Sequence, residues 1–139
     1  MNYCLFKKIS ILLILLVICG CSSKVNYVYL SSIDDIGEII NKNSKTIFEI
    51  SSDSCPNCAI LKQFEQEIKS NNNLTIYKYV ITDSFSEDDL KKIKLYFDTL
   101  QYVPTFYIIE NNKIKHTLNI KDWNNPKTEL RRWLNKYGD

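Results

Sequence analysis

Cysteines at positions 55 and 58 form a Cys-x-x-Cys pair within the sequence Ser-Cys-Pro-Asn-Cys. A strand is predicted at 45–51, directly before the pair, and a helical pattern begins at Pro56. A cysteine at the start of a helix lies against free backbone N–H groups and the positive end of the helix dipole, which stabilise an anionic sulfur. The spacing therefore predicts a redox-active dithiol. Cys55 would be the attacking thiolate, and Cys58, one turn into the helix, would resolve the mixed disulfide.

The two residues inside the motif, Pro56 and Asn57, shape the start of the helix. Proline suits the first helical position because its missing N–H would have no partner there. Asn57 adds no charge, so no redox potential follows from it. A disulfide between Cys55 and Cys58 would close too short a loop to stabilise a domain, which makes a purely structural bridge the weaker alternative.

The N-terminal segment predicts export. Lys7 and Lys8 precede an apolar run at 9–18, which is shorter than the ~20 residues of a spanning helix and is typical of a signal peptide. The quartet 18–21, Ile-Cys-Gly-Cys, resembles a bacterial lipobox. This resemblance implies that residues 1–20 are a lipoprotein signal peptide, that Cys21 becomes the lipidated mature N-terminus, and that 21–25 form a tether. An ordinary signal peptide with a chance cysteine is the alternative.

These predictions decide how the cysteines and charges are counted. Of the five cysteines, Cys4 and Cys19 would leave with the signal peptide and Cys21 would become a thioether, so only the Cys-x-x-Cys thiols remain. Two of the 18 basic residues lie in 1–20, which leaves 16 against 16 acidic residues. The mature chain has no basic stripe, so we predict no nucleic-acid partner. Two or three acyl chains anchor stably, and we expect a lipid-anchored protein at the extracytoplasmic face of the cell membrane.

Hydrophobic periodicity predicts one domain, residues 26–139. The predicted strands are 26–30, 45–51, 74–81, 105–110 and 113–119. The predicted helices are 31–43, 56–70, 86–98 and 126–137. Ile60 and Leu90 are placed on the buried faces of the second and third helices, and Asn111-Asn112 predicts a hairpin turn. Strands that alternate with helices in this order indicate an α/β fold.

Three features of this pattern resemble the thioredoxin fold over nearly all of residues 25–138. They are the Cys-Pro-Asn-Cys motif at 55–58, Glu49 six residues before Cys55, and the triplet Val103-Pro104-Thr105. The resemblance implies a thioredoxin-like fold with a central mixed β-sheet flanked by helices. A Cys-Pro-x-Cys motif is similar to those of glutaredoxins, exported disulfide oxidases and thioredoxin-like accessory proteins of bacteriocin secretion.

The resemblance also implies roles for residues outside the dithiol. Glu49 would be a buried general base for Cys58, although alternation along the strand leaves a solvated face open as the alternative. Val103, Pro104 and Thr105 would form a substrate-binding cis-proline loop opposite the cysteines, in which the Val103 backbone pairs with an extended substrate. A proline that merely begins a strand is the alternative there.

We therefore predict a membrane-anchored thiol–disulfide oxidoreductase that acts through Cys55 and Cys58 without a bound cofactor. Its partners would be protein thiol or disulfide substrates and a membrane redox protein that resets it, and we expect a monomer. Three alternatives stay open: an accessory role in bacteriocin production or export, a metal-carrying or redox-sensing lipoprotein, and a binding module with a vestigial site. His116 is the only histidine, and the sequence identifies no fourth ligand, so no metal site is predicted.

Overall fold

The computed structural model describes residues 23–139, so the predicted signal peptide and the lipidation site Cys21 lie outside it. A five-stranded sheet occupies the centre, in the order β2-β5-β3-β6-β7. Its strands are β2 (Asn26–Tyr29), β3 (Lys45–Ser52), β5 (Thr75–Ile81), β6 (Thr105–Glu110) and β7 (Lys113–Asn119). β2, β5 and β3 are parallel, whereas β6 and β7 are antiparallel, so the sheet is mixed as predicted.

Among residues 23–139, four α-helices pack on the sheet, and their N-terminal ends follow local sequence signals. They are α1 (Ile33–Lys42), α2 (Pro56–Phe64), α3 (Glu87–Tyr96) and α4 (Pro126–Tyr137). Capping boxes begin α1 at Ser32 and α3 at Ser86, each closed by the aspartate three residues on. Asn111 and Asn112 have φ of 50° and 62°, the left-handed pair that a tight hairpin between β6 and β7 requires.

Side chains alternate between the two faces of β3, and each face packs against a separate layer of the interior. Ile47 faces the layer that holds α2 and α4, together with Leu61 and Leu130. Phe48 and Ile50 face the other layer, which holds α1 and α3. Glu49 and Ser51 share the face of Ile47 because side chains alternate along a strand. The strand therefore directs two polar residues into the layer that contains α2, which begins at the dithiol.

The prediction of a single helix over 56–70 is wrong at its C-terminal end. α2 ends at Phe64, a 3-10 turn follows over Glu65–Glu67, and Lys69–Ser70 form a short strand, β4. Two interactions account for this end. The Glu65 side chain turns inward to a buried lysine, and β4 pairs antiparallel with another short strand, β1 (Ser23–Lys24).

Two predicted core positions are also wrong, because Ile60 and Leu90 are exposed. The described residues include the short strand β1 on the N-terminal side of residue 26, where the predicted domain begins. Val25, assigned by prediction to the tether, is buried in the layer with α2 and donates its N–H to the Ile68 carbonyl. No helix among residues 23–139 is long and apolar enough to cross a membrane.

Candidate active site

Cys55 occupies the N-cap of α2, where a serine or aspartate oxygen usually accepts a backbone hydrogen bond. Its Sγ takes that role and accepts from the backbone N–H of Cys58 at 3.2 Å. Pro56 fills the first helical position as predicted. This geometry directs a helix N-terminus at the sulfur and stabilises negative charge on it.

Cys58 lies behind Cys55 and is only 3% exposed. Both residues are free thiols. Burial raises the pKa of Cys58 to about 11, the hydrogen bond with Cys55 acts in the same direction, and the Ser51 hydroxyl opposes the shift. An attacking cysteine must be accessible, whereas a resolving cysteine is shielded and keeps its proton until it reacts. Cys55 and Cys58 meet these two requirements.

The loop before β6 faces the dithiol. The Val103–Pro104 peptide bond is cis, as the resemblance implied, and the Cys55 thiol donates to the Val103 carbonyl at 3.4 Å. Thr105 Oγ1 lies 2.6 Å from both the Tyr102 carbonyl and Asn119 Oδ1, so its single proton can donate to only one of them at a time. Tyr102 itself is 70% exposed, so its aromatic side chain lies at the surface of this loop.

Glu49 is fully buried beneath this region, which decides between the two predicted environments in favour of burial. It lies directly beside Lys78 of β5 in the parallel register, and the two side chains approach to 2.7 Å between Nζ and Oε1. That distance is within ion-pair range, yet neither Glu49 oxygen has a hydrogen-bond partner of good geometry among the described residues. Burial raises the pKa of Glu49, and the Lys78 ammonium opposes the rise.

Lys78 has a second carboxylate partner that the sequence prediction did not include. Its Nζ donates to Glu65 Oε1 at 2.5 Å, and Glu65 Oε2 accepts from the Tyr29 hydroxyl at 2.5 Å. Lys78 is 2% exposed, so the ammonium and both carboxylates form one buried group. Its Nζ also lies 5.6 Å from the centre of the Tyr29 ring.

A cavity of about 200 Å³ lies between Lys78 of this buried group and Cys58 of the dithiol. Cys58, Ser51, Lys78 and Tyr29 all line it, so the shielded sulfur and the buried ammonium border the same space. Such a space is large enough for water molecules. The arrangement can therefore support an accessible nucleophile, a second sulfur behind it, and proton exchange at the second sulfur.

Solved thioredoxin structures match this architecture. A thioredoxin from Malassezia sympodialis has a TM-score of 0.59 at 14% identity, over 85% of this chain and 95% of that one. A thioredoxin from Trypanosoma brucei brucei has a TM-score of 0.56 at 19% identity, over 82% and 92%. The oxidised thioredoxin from Plasmodium falciparum has a TM-score of 0.55 at 18% identity, over 83% of this chain and 99% of that one. This chain has the thioredoxin fold.

No protein-family model and no curated protein sequence matches the chain. At these identities the solved structures establish the fold alone. What the thioredoxin fold does in this chain therefore rests on its own site.

Within the thioredoxin fold, sequence reasoning missed Lys78, Glu65 and Tyr29. A role for Lys78 could have been predicted, because a lysine between Tyr77 and Tyr79 in a mainly apolar strand implies a buried charge with a partner. The inward position of Glu65 was not predicted, because the sequence pattern indicated that α2 continues past it. Tyr29 lies on the outermost parallel strand, and nothing in its neighbours predicted a role.

The asymmetry of the two thiols predicts a labelling pattern. When the reduced protein is treated with iodoacetamide at neutral pH, we expect adducts at Cys55 and almost none at Cys58, because Cys58 is buried and keeps its proton. Its thiolate fraction rises about tenfold for each pH unit below its pKa, so labelling increases steeply toward pH 11. Peptide mass spectrometry measures both sites. Equal labelling at pH 7 contradicts the assignment.

Proposed function

We propose that this protein is a lipid-anchored, extracytoplasmic thiol–disulfide oxidoreductase. The observation that carries the proposal is the pair of sulfurs at the start of α2. Cys55 is accessible and accepts a helix N–H, whereas Cys58 is buried one turn behind it. A structural cysteine pair would gain nothing from this difference in access, while exchange through a mixed disulfide needs it.

The chemistry follows from these positions. In the reducing direction, the Cys55 thiolate attacks a substrate disulfide, a Cys55–substrate bond forms, and one substrate thiolate leaves. Cys58 then loses its proton and attacks Cys55, which releases the second substrate thiolate and leaves the protein oxidised. In the oxidising direction the same steps run backwards. The Val103 carbonyl beside Cys55 is available to bind an extended substrate once the thiol no longer donates to it.

The reduction potential of the Cys55–Cys58 couple tests the proposal and gives the direction of electron flow. The full chain would be equilibrated with glutathione and dithiothreitol buffers, and its thiols then trapped and counted. A value near ~ −120 mV indicates a donor of disulfides, and one near ~ −270 mV indicates a reductase. A pair that does not cycle, or that binds Cu(I) or Zn(II) stoichiometrically with negligible exchange, would overturn the enzyme proposal.

The proposed anchor has its own test. Because β1 begins at Ser23, a lipid on Cys21 would lie within two residues of the folded domain and would hold the domain close to the membrane. We expect the protein in the membrane fraction of the producing cells, and a Cys21→Ser variant in the soluble or secreted fraction. An unchanged distribution of that variant contradicts lipidation. A membrane redox protein as reset partner and a narrower role in bacteriocin export stay predictions.

A further inference from the structure

The dithiol and the strand β1 lie at opposite ends of the central sheet. β2, β3 and β5 are parallel, so their C-terminal ends share one edge, and Cys55 follows the end of β3 by three residues. At the other edge, the Val25 N–H donates to the Ile68 carbonyl. The 8 residues of β3 separate the two edges by roughly 25 Å. A lipid on Cys21 would therefore be attached at the anchor end of the domain, far from the dithiol end.

Formal charge differs in sign between these two ends. The loops after β2, β3 and β5, together with the helical turns that follow them, contain no lysine or arginine over residues 30–35, 53–57 and 82–89. Their acidic residues are Asp34, Asp35, Asp53, Asp83, Glu87, Asp88 and Asp89. The segments at the anchor end are 23–25, 42–45, 69–74 and 110–113, and their charged residues are Lys24, Lys42, Lys45, Lys69, Lys113 and Glu110.

Two lysines at the anchor end are placed directly against each other. Lys24 on β1 and Lys69 on β4 are partners in the antiparallel pair, so their side chains leave the same face. Both are exposed, and neither has an ion-pair partner among residues 23–139. Like charges directly opposite each other in a ladder are destabilising, and a bound anion would remove this repulsion.

α4 adds a third cation beside this pair. Lys127 binds Glu67, and Asn135 accepts from the Ser70 hydroxyl, so one face of α4 lies along residues 67–70. Arg131 is four residues from both Lys127 and Asn135 and therefore lies on that face. Arg131 is exposed and also lacks an ion-pair partner in the described part of the chain, and Glu67 is already neutralised by Lys127. Lys24, Lys69 and Arg131 together form the basic face.

We infer that the basic face binds the anionic headgroups of phospholipids and holds the domain with its anchor end on the bilayer and its dithiol end toward the aqueous phase. The inference rests on the proposed lipid anchor and deepens the proposed function, because it identifies the substrate class. Substrates of an enzyme held in this way are soluble proteins that reach Cys55 from the aqueous side. A reset partner in the membrane would need an aqueous domain of its own.

An anchored domain needs only weak surface contacts to become oriented. Each lysine or arginine near an anionic bilayer strengthens binding about fivefold, so three give a factor on the order of 100. Because β1 begins at Ser23, a lipid on Cys21 would keep the basic face at a high effective concentration next to the headgroups. The same surface repels the carboxylates of the dithiol end, which opposes the inverted orientation. Capping and helix dipoles also favour those carboxylates, but they do not account for the basic face.

A thiol reagent confined to the bilayer tests the orientation of the full-length protein. The reduced protein would be reconstituted into vesicles of phosphatidylcholine, with or without phosphatidylglycerol, that also contain a lipid with a maleimide headgroup. This maleimide reaches Cys55 only when the dithiol end approaches the bilayer. We expect its adduct at Cys55 to form about tenfold or more slowly in the anionic vesicles, because the basic face holds the dithiol away. A water-soluble maleimide should react at the same rate in both.

Variants assign this effect to the basic face. Lys24→Gln combined with Lys69→Gln and Arg131→Gln should abolish the difference between the two kinds of vesicle. The matched control combines Lys91→Gln, Lys92→Gln and Lys94→Gln. It removes the same formal charge from exposed positions of α3, which lies in the layer opposite α2 and α4, and it should behave as the wild type. High salt should abolish the difference in the wild type, because it screens exposed charges.

The outcomes separate this inference from the proposed function. Equal adduct rates of the wild type in both vesicles, or a difference that the basic-face variant retains, would overturn the orientation. A mass without lipid at Cys21 would contradict the anchor instead. Sedimentation of the same protein with phosphatidylglycerol vesicles at low salt then decides about the basic face. Its variant should bind on the order of 100-fold more weakly than the wild type, and equal binding would overturn the inference. Loss of thiol exchange alone contradicts only the enzyme proposal.

Discussion

Replacement of Cys58 by serine is expected to stop turnover and to leave a stable mixed disulfide between Cys55 and a substrate cysteine. Cys55 retains its position at the N-cap, because the backbone N–H that it accepts belongs to residue 58 and does not depend on the side chain. Attack therefore proceeds, but no buried sulfur remains to resolve the adduct. We expect steady-state exchange to fall on the order of 10³-fold or more, as for the loss of other nucleophiles.

Non-reducing electrophoresis and mass spectrometry of proteins captured on Cys58→Ser would measure the adduct and identify substrates. Cys55→Ser should lose the same activity and form no adduct, because its remaining thiol is 3% exposed and protonated at neutral pH. Ser54→Ala is the matched neighbouring control and should exchange at nearly the wild-type rate. Equal adduct yields from Cys55→Ser and Cys58→Ser would exclude the division into attacking and resolving cysteines.

Much of the fold could be predicted because its signals are local. The capping boxes at Ser32 and Ser86, the asparagine turn at 111–112 and the proline at the start of α2 each depend on a few adjacent residues. The order of strands and helices then limits the topology to an α/β sheet. The attacking cysteine was likewise predictable, since its N-cap position follows from where the helix begins.

The partners of the buried charges could not be predicted in the same way, because they depend on contacts between distant segments. Alternation along β3 places Glu49 with Ile47, but only the packing of α2 and β5 shows that this face is buried. The contact between Glu65 and Tyr29 spans 36 positions. The end of α2 at Phe64 is also non-local, since it depends on a lysine in β5 and on pairing with β1.

Removal of the Lys78 charge should cause the largest loss of stability of any single substitution in the buried charge group. A Lys78→Met variant retains most of the apolar stem but leaves Glu49 and Glu65 without a cation in the interior. Loss of one partner of a buried ion pair costs about 3–5 kcal/mol, because the remaining charge is uncompensated. Urea denaturation at neutral pH would measure the loss. Lys127→Met, which breaks only the exposed pair with Glu67, should cost less than about 1 kcal/mol.

The pH dependence of this loss identifies its cause. Without Lys78 the folded-state pKa of Glu49 rises further above its ordinary value of 4.5, so the protonated form is favoured by folding. A group of this kind contributes stability that is complete below the unfolded pKa and is lost as pH rises through the folded pKa. Lys78→Met should therefore approach the wild type near pH 4 and diverge toward pH 7, and Glu49→Gln should reduce the divergence when added to it. A deficit that does not change with pH would indicate lost packing around the lysine stem instead of an uncompensated charge.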